Sequence, residues 1–195
     1  MYRLVGPAKT RTMRVLWMLE ELGVDYAHDP SPPRSDTVRA LSPLGKVPVL
    51  VDGDAKLTDS TAILTYLADK HGALTHPAGT IERAGQDGVT QFLLDEMDAL
   101  LWTAARHSFI LPEDRRVPAI KDSLRWEFAQ SEARLVAILG AGPFLTGDQM
   151  TVTDIIATHC GNWAVGAKFP LTDHVLKDYL RRMRDRPAYQ RASAR

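Results

Sequence analysis

Two short stretches of the sequence carry groups that could bind the charged ends and the backbone of a small ligand. The first is Asp59-Ser60, directly ahead of a segment with a helical pattern. The first N–H groups of a helix lack partners and carry a partial positive charge, so a carboxylate binds there readily, and the Ser60 hydroxyl adds a donor. Asp59 could hold an ammonium group beside it. The alternative is that Ser60 caps the helix and Asp59 stabilises its dipole.

The second stretch is KVPVLVDG, in which Val47-Pro48 lies within a predicted strand. A proline cannot donate to a sheet ladder, so within strands it is confined to edges, first positions or bulges. A trans proline would simply end an edge strand. A cis bond would instead turn the N–H and C=O of Val47 outward, where they could pair with an extended peptide as an added strand.

The composition argues against several classes of function, namely nucleic-acid binding, membrane binding and metal binding. Among 195 residues, 24 Lys and Arg balance 24 Asp and Glu, which gives no reason to expect nucleic acid or an anionic membrane as a partner. The single cysteine, Cys160, predicts neither a disulfide framework nor a cysteine-based zinc site, and we expect no metal. The start MYRLVG does not resemble a signal peptide, and no apolar run approaches the roughly 18 residues of a membrane helix. We therefore expect a cytoplasmic protein.

The first third of the chain alternates between strand and helix patterns, in the order β-α-β followed by ββ-α. Helices are predicted in TRTMRVLWMLEELG, ending at Gly23, and from Thr61 to Lys70, ending before Gly72. Strands are predicted at Tyr2–Val5, in VDYAH, at Val47–Val51 and at Lys56–Thr58, with the turn sequence DGD joining the last two. A proline-rich loop at Pro30–Pro33 and a short polar segment separate the second strand from the third.

The rest of the chain carries only helical signals. Residues 76–83 form a polar linker, which divides an α/β domain at 1–75 from an all-helical domain at 84–195. Long helical patterns cover Glu82–Phe109 and Pro118–Leu139.

A capping-box pattern opens a later helix in GDQMTVTDI. Thr151 can cap the helix while Asp154 reaches back to the backbone N–H of the cap, and Met150 can pack on Ile155. We interpret this pattern as a folding device without chemistry. Cys160, on the same predicted helix, is predicted to be a buried, inert thiol.

These segments, in this order, resemble the cytosolic glutathione transferase superfamily. The resemblance covers nearly the whole chain and is carried by RVLWMLEELGVDY, SPLGKVPVLVDGDAKLTDSTAILTYLADKHG, FLTGDQMTVTDI and the closing YLRRMRDRPAYQRA. It implies a thioredoxin-like α/β N-terminal domain, an all-α helical-bundle C-terminal domain, and a homodimer with each active site near the dimer cleft.

The resemblance assigns a ligand to the two stretches described first. It implies that the Val47-Pro48 bond is cis and that glutathione pairs with Val47 as an added strand. The γ-glutamyl end of glutathione carries an ammonium and a carboxylate on one carbon, which Asp59 and Ser60 could bind. Lys46 could reach the glycyl carboxylate, although a solvated loop lysine is an equally simple interpretation.

The resemblance also implies a side chain that activates the glutathione thiol where the first strand passes into the first helix. Relatives have Tyr, Ser or Cys there, and this chain has none of them in GPAKTRTMRV. Thr10 aligns best, Thr12 is the second choice, and Arg11 is a nearby positive charge. The alternative is that Thr10 only caps the helix.

An apolar cleft between the domains is implied as the site of an electrophilic co-substrate. Its candidate residues are also compatible with a core or surface role; they are Trp102, Arg106, His107 and Phe109. The leading hypothesis is an enzyme that conjugates glutathione to hydrophobic electrophiles. Two alternatives stay open: a glutathione-dependent disulfide or peroxide reductase, and a non-catalytic binding or regulatory protein with the same fold.

Overall fold

The computed structural model describes all 195 residues and divides them into two compact units. The first contains Met1–Ala78 together with Arg184–Arg195, and the second contains Gly79–Met183. The sequence placed the last residues in the helical domain, whereas in the structure Arg184–Arg195 cluster with the first unit.

A four-stranded mixed sheet forms the centre of the first unit. Its spatial order is β2-β1-β3-β4, with β1 parallel to β2 and antiparallel to β3, and β3 antiparallel to β4. The strands are β1 at Tyr2–Val5, β2 at Tyr26–Asp29, β3 at Val49–Asp52 and β4 at Ala55–Thr58. Leu4 pairs with Leu50 in the middle of the sheet, and both side chains are fully buried. The thioredoxin-like N-terminal architecture predicted from the sequence is confirmed.

Three helices accompany the sheet within Met1–Ala78: α1 at Thr12–Leu22, α2 at Asp36–Leu41 and α3 at Ser60–His71. Helix α1 ends at Gly23 and α3 ends at Gly72, both in the left-handed conformation that favours glycine, as predicted. No helix was predicted at α2, which lies in the segment described from the sequence only as polar. Only one side chain of that helix, Val38, is buried, so the sequence carries almost no apolar periodicity there.

A short C-terminal helix, α9 at Pro187–Ser193, packs on α1. The rings of Trp17 and Tyr189 meet edge to face with their centroids 5.0 Å apart. The Arg186 guanidinium forms a bidentate salt bridge with the Glu21 carboxylate, with N···O distances of 2.6 and 2.8 Å. Glu20 on α1 accepts hydrogen bonds from Arg191 on α9 and from Tyr26. Partial burial by itself would raise the pKa of the Glu20 carboxyl group, but these hydrogen bonds have the larger effect, and the pKa lies below its ordinary value.

The second unit is helical throughout, apart from one isolated β-bridge. Its helices are α4 at Ile81–Leu93, α5 at Ala99–Ala105, α6 at Ile120–Leu139, α7 at Val152–Gly166 and α8 at His174–Arg184, which ends at the boundary with the first unit. π-Helical segments Leu94–Asp98 and Arg106–Ile110 follow α4 and α5. The pattern read as one helix over Glu82–Phe109 is therefore a continuous helical run with two π turns. No helix of the structure is both long enough and apolar enough to cross a bilayer.

The capping box at the start of α7 is confirmed. Thr151 donates its backbone N–H to Asp154 Oδ2 at 2.8 Å, and Leu145 donates its N–H to Asp154 Oδ1 at 3.0 Å. The Tyr179 hydroxyl also donates to Oδ1, at 2.7 Å. Asp154 is fully buried, and this burial raises the pKa of its carboxyl group although the three hydrogen bonds work in the opposite direction.

Candidate functional site

The end of β1, the start of α1 and the residue before Pro48 meet at Gly6. Gly6 has φ of 136°, and a Cβ at this position would lie 2.3 Å from Thr12 Oγ1 and 2.8 Å from Val47 Cβ. Only glycine fits both this backbone conformation and this contact. Gly6 therefore brings the loop that opens α1 next to Val47.

The Thr10 hydroxyl is hydrogen-bonded within its own loop. It donates to the Pro7 carbonyl at 2.8 Å, and it accepts from the Thr12 backbone N–H at 3.2 Å. Thr12 Oγ1 lies 2.9 Å away as a further hydrogen-bonding partner. The residue is half-buried, and these bonds lie within the loop that precedes α1. The N-cap of α1 is Arg11, which makes no side-chain capping bond, so Thr10 is not the capping residue that the alternative supposed.

The two neighbours of Thr10 lie in different environments. Thr12 has no exposed surface and packs against Gly6, so its side chain supports the loop. A ligand cannot contact this hydroxyl without displacing the residues that cover it. Arg11 is half-buried immediately before the first residue of α1.

The Val47-Pro48 peptide bond is cis, as predicted. Strand β3 begins two residues later at Val49, and neither the N–H nor the C=O of Val47 forms a hydrogen bond within the chain. Val47 is half-buried, while Lys46 beside it is exposed. The backbone of Val47 therefore offers one donor and one acceptor beyond the end of a sheet strand.

Asp59 caps α3 with an unusual backbone. Its φ of 70° and ψ of 123° lie outside the regions that L-residues ordinarily occupy. One carboxylate oxygen, Oδ1, accepts from the backbone N–H groups of Thr61 and Ala62 at 2.9 and 3.1 Å. The other oxygen has no partner within the chain, and the residue is exposed. Strained residues cluster at binding sites, where the surrounding structure maintains them.

Ser60 connects α3 to α1. The Arg14 guanidinium donates to Ser60 Oγ at 3.3 Å, and both residues are buried. Since Oγ accepts this bond, the hydroxyl proton of Ser60 is left for another acceptor, and its backbone N–H also has no acceptor within the chain. Positive charge and two donors converge at the start of α3, which suits a carboxylate.

Sequence reasoning missed Arg14 and Gly6 as contributors to this site. A signal for Arg14 existed, because the residue follows Met13 and precedes VLWML on a helix whose apolar residues are buried. A charged residue within such a run requires a polar partner inside the fold. Nothing local distinguishes Gly6 from a glycine that merely ends a strand.

The residues predicted to contact an electrophile all lie in the second unit. Trp102 is half-buried on α5, and the others lie in the π-helical segment Arg106–Ile110. Arg106 donates to a threonine hydroxyl one turn earlier at 2.9 Å, while its buried Nε has no acceptor. His107 accepts a backbone N–H through Nδ1 at 3.1 Å, and Phe109 is 67% exposed.

Sequence comparison connects this geometry to known proteins. Residues 11–77 match the family described as the glutathione S-transferase N-terminal domain. Over 135 residues, 63% of the chain, the sequence is 33% identical to glutathione S-transferase theta-1 of Bos taurus and covers 54% of that protein. Glutathione S-transferase F10 of Arabidopsis thaliana is 33% identical over 150 residues, which cover 71% of this chain and 66% of that protein. The chain thus spans about half to two thirds of the length of these curated relatives.

Structural comparison gives the same result over a longer stretch. A theta class glutathione S-transferase from Xanthomonas axonopodis pv. citri, solved with glutathione bound, superposes with a TM-score of 0.80 at 27% identity. The superposition covers 98% of this chain and 96% of that one. Motif order, sheet topology and both comparisons agree, and the chain belongs to the cytosolic glutathione transferase superfamily.

Proposed function

We propose that this protein binds glutathione on its first unit and transfers the glutathione thiolate to an electrophilic small molecule. The observation that carries the proposal is the start of α3. There an exposed carboxylate on a strained backbone lies beside a buried serine whose hydroxyl proton and N–H have no acceptor in the chain.

The γ-glutamyl end of glutathione fits this helix start. Its carboxylate accepts from the hydroxyl and backbone N–H of Ser60, and the guanidinium of Arg14 behind Ser60 adds positive charge. Its ammonium group pairs with the oxygen of Asp59 that does not cap the helix. A hydrogen bond to a charged group contributes about 1.5–3 kcal/mol. The two bonds from Ser60 and the one to Asp59 therefore orient this end of the ligand.

The middle of glutathione fits the backbone of Val47. An extended peptide beside this residue gains one N–H and one C=O partner, in the manner of an added strand. The exposed ammonium of Lys46 lies next to it and would bind the glycyl carboxylate. Because Gly6 holds Val47 against the loop before α1, this pose directs the sulfur toward Thr10.

Thr10 is the proposed hydrogen-bond donor to the thiolate, although in this structure its hydroxyl donates to the Pro7 carbonyl. Turning the hydroxyl to the sulfur exchanges a neutral hydrogen bond of about 1 kcal/mol for a charged one of about 1.5–3 kcal/mol. The net gain, about 0.5–2 kcal/mol, lowers the thiol pKa by roughly one unit. The positive end of α1, with Arg11 beside it, contributes about 0.3–1 kcal/mol more. The thiolate then attacks the electrophile, whose leaving group departs with the bonding electrons.

The co-substrate site, the dimer and the cytoplasmic location stay predictions. Trp102, Arg106, His107 and Phe109 are proposed contacts of a hydrophobic electrophile. The exposed ring of Phe109 and the uncommitted Nε of Arg106 support this assignment most directly.

The deciding experiment has two parts. Glutathione is titrated calorimetrically into the protein, and turnover is then measured with an activated aryl halide, an epoxide and a low-molecular-weight disulfide. Binding with faster conjugation than disulfide reduction supports the proposal. Faster disulfide reduction would identify a reductase, and a folded protein that releases no heat at millimolar glutathione would contradict both activities.

The role of Thr10 is tested with Thr10→Val, which keeps the shape of the side chain and removes the hydroxyl. We expect the pKa of bound glutathione to rise by roughly one unit and kcat/KM at neutral pH to fall about 10-fold. Thr10→Ser is the matched control and should retain both values. An unchanged thiol pKa in Thr10→Val would transfer the role to Arg11 or to the helix N–H groups.

A further inference from the structure

A second cluster of reactive side chains lies entirely within the second unit, on residues that the proposed function does not use. One ligand atom each from Asp98, His159 and Cys160 lies within 4.8 Å of the other two. We propose that these three side chains form a Zn²⁺ site, with a water molecule completing the coordination.

The arrangement requires two helical segments to supply ligands to one point. His159 and Cys160 are consecutive on α7, so their side chains leave the helix about 100° apart. Their ligand atoms nevertheless lie within 4.8 Å of each other, and Asp98, from another helical segment, adds a third ligand atom within the same distance of both.

A π-helical turn delivers this third ligand. Asp98 is the last residue of the π segment Leu94–Asp98, which the Ala99 N–H closes by bonding to the Leu94 carbonyl. A π turn inserts one residue into a helix and so changes the direction of the side chains around it. Such turns occur frequently at functional sites, which is an observation independent of the cluster itself.

The donor set determines which metal fits. One thiolate, one imidazole and one carboxylate are the ligand types of Zn²⁺, whereas Mg²⁺ and Ca²⁺ require oxygen ligands. Tetrahedral zinc ligands lie roughly 3.5 Å apart, so separations of at most 4.8 Å would shorten by no more than about 1.3 Å through side-chain rotation. With three protein ligands, the fourth position belongs to water.

The burial of the three ligands and their existing contacts determine how tightly we expect the site to bind Zn²⁺. Cys160 is fully buried and Asp98 nearly so, while the half-buried His159 ring gives an ion a route inward. The ring also packs edge-on against Trp163, with centroids 6.0 Å apart. Binding exchanges some existing contacts for metal bonds and releases the thiol proton to water. We therefore expect weaker binding than at four-ligand structural sites, and affinity that rises with pH.

A zinc site revises two expectations from the sequence, namely that the chain holds no metal and that Cys160 is inert. The expectation of no metal relied on there being a single cysteine, which predicts no cysteine-based zinc site. Only the fold brings Asp98 to two residues that lie 61 and 62 positions further along the chain.

The test uses CoCl₂ as a spectroscopic substitute for zinc. Cobalt bound by a thiolate gives a near-ultraviolet charge-transfer band, and tetrahedral cobalt gives intense visible bands. We expect both, with one Co²⁺ per chain, and we expect ZnCl₂ to remove them. Since Cys160 is the only cysteine, any thiolate band must come from it. Cys160→Ser should abolish the band.

Two further variants keep the proposal testable if Cys160→Ser does not fold. Asp98→Asn and His159→Gln should keep the thiolate band while cobalt affinity falls at least about 10-fold. The matched control is His174→Asn, an exposed histidine of the same unit, which should bind as the unchanged protein does. Cobalt bound without a thiolate band, or with equal affinity in Asp98→Asn and His159→Gln, would overturn the site. So would the absence of any binding in folded protein.

Discussion

Helices α3 and α7 each have an aspartate at their start that accepts backbone N–H groups, yet the two differ in almost every physical respect. Asp59 is the N-cap of α3, whereas Asp154 is the third residue of α7 and accepts the N–H of the N-cap Thr151. Asp154 at α7 is fully buried, and its two oxygens accept three hydrogen bonds from the chain. Asp59 at α3 is exposed, has positive φ, and leaves one oxygen without a partner.

The difference separates a stabilising cap from a binding cap. Every polar atom of Asp154 is satisfied inside the fold, so nothing remains for a ligand, and its removal can only damage the fold. Asp59 and Ser60 retain donors and acceptors that the chain does not use, and they do so on a backbone that costs about 1–3 kcal/mol to maintain. Unused polar capacity together with strain distinguishes the site, whereas an acidic residue at a helix start does not.

The largest effect is expected for Asp154→Ala. The substitution leaves buried donors of Leu145, Thr151 and Tyr179 without an acceptor, each at a cost of about 1–3 kcal/mol. We expect a loss on the order of 4 kcal/mol in the free energy of unfolding, measured by urea denaturation. Asp148→Ala, an exposed position just before the helix, is the control and should change little. A loss below about 1 kcal/mol in Asp154→Ala would remove the distinction between the two caps.

The reverse result is expected for Asp59→Gly. Glycine tolerates positive φ and, as an N-cap, costs only a few tenths of a kcal/mol. Stability should therefore stay within about 1 kcal/mol or rise, while glutathione affinity falls at least about 10-fold because the ammonium partner is lost. Asp59→Asn separates the two effects, since the amide oxygen still caps the helix but the charge is gone. Retained affinity in Asp59→Gly would show that this carboxylate only caps.

A smaller effect is expected for Ser60→Ala, which removes one hydroxyl and keeps the backbone N–H. Glutathione affinity should fall by about 10-fold, the equivalent of about 1.4 kcal/mol, by isothermal titration calorimetry. The buried Arg14 also loses an acceptor, so a modest loss of stability should accompany it. Ser31→Ala, a substitution outside α3, should leave the affinity unchanged.

The smallest effect concerns the pH dependence of stability. Burial raises the pKa of Asp154 in the folded protein, so the unfolded chain releases this proton at a lower pH than the folded protein does. The stability that depends on Asp154 is therefore highest below its ordinary pKa near 3.9, and it decreases as pH rises toward the folded value. The free energy of unfolding is measured for the unchanged protein and for Asp154→Asn as a function of pH. The difference between the two should decrease as pH rises from about 3.9 toward the pKa of Asp154 in the folded protein. A difference that instead rises with pH would contradict the assigned direction.

Much of the candidate site was predictable because its signals are local. Asp59-Ser60 ahead of a helical pattern and Val47-Pro48 within a strand pattern were identified from adjacent residues, and the helix starts where predicted. The cis bond is also found, but only the family resemblance implied it, since the residues alone left cis and trans open. The sequence predicted where Thr10 lies in the chain but not which hydrogen bonds its hydroxyl forms. Its hydroxyl bonds to Pro7, and a sequence does not show which acceptor a rotating hydroxyl finds.

Local residue patterns were enough to predict the α/β region, the helical region and the capping box at Thr151, because apolar periodicity and capping depend on neighbouring residues. Four other features depend on long-range packing: Arg14 reaches Ser60, Gly6 packs against Val47, α9 joins the first unit, and Asp98 approaches Cys160. Each of these contacts joins residues far apart in the chain. Their proximity results from packing of whole elements, which no local pattern of residue types records.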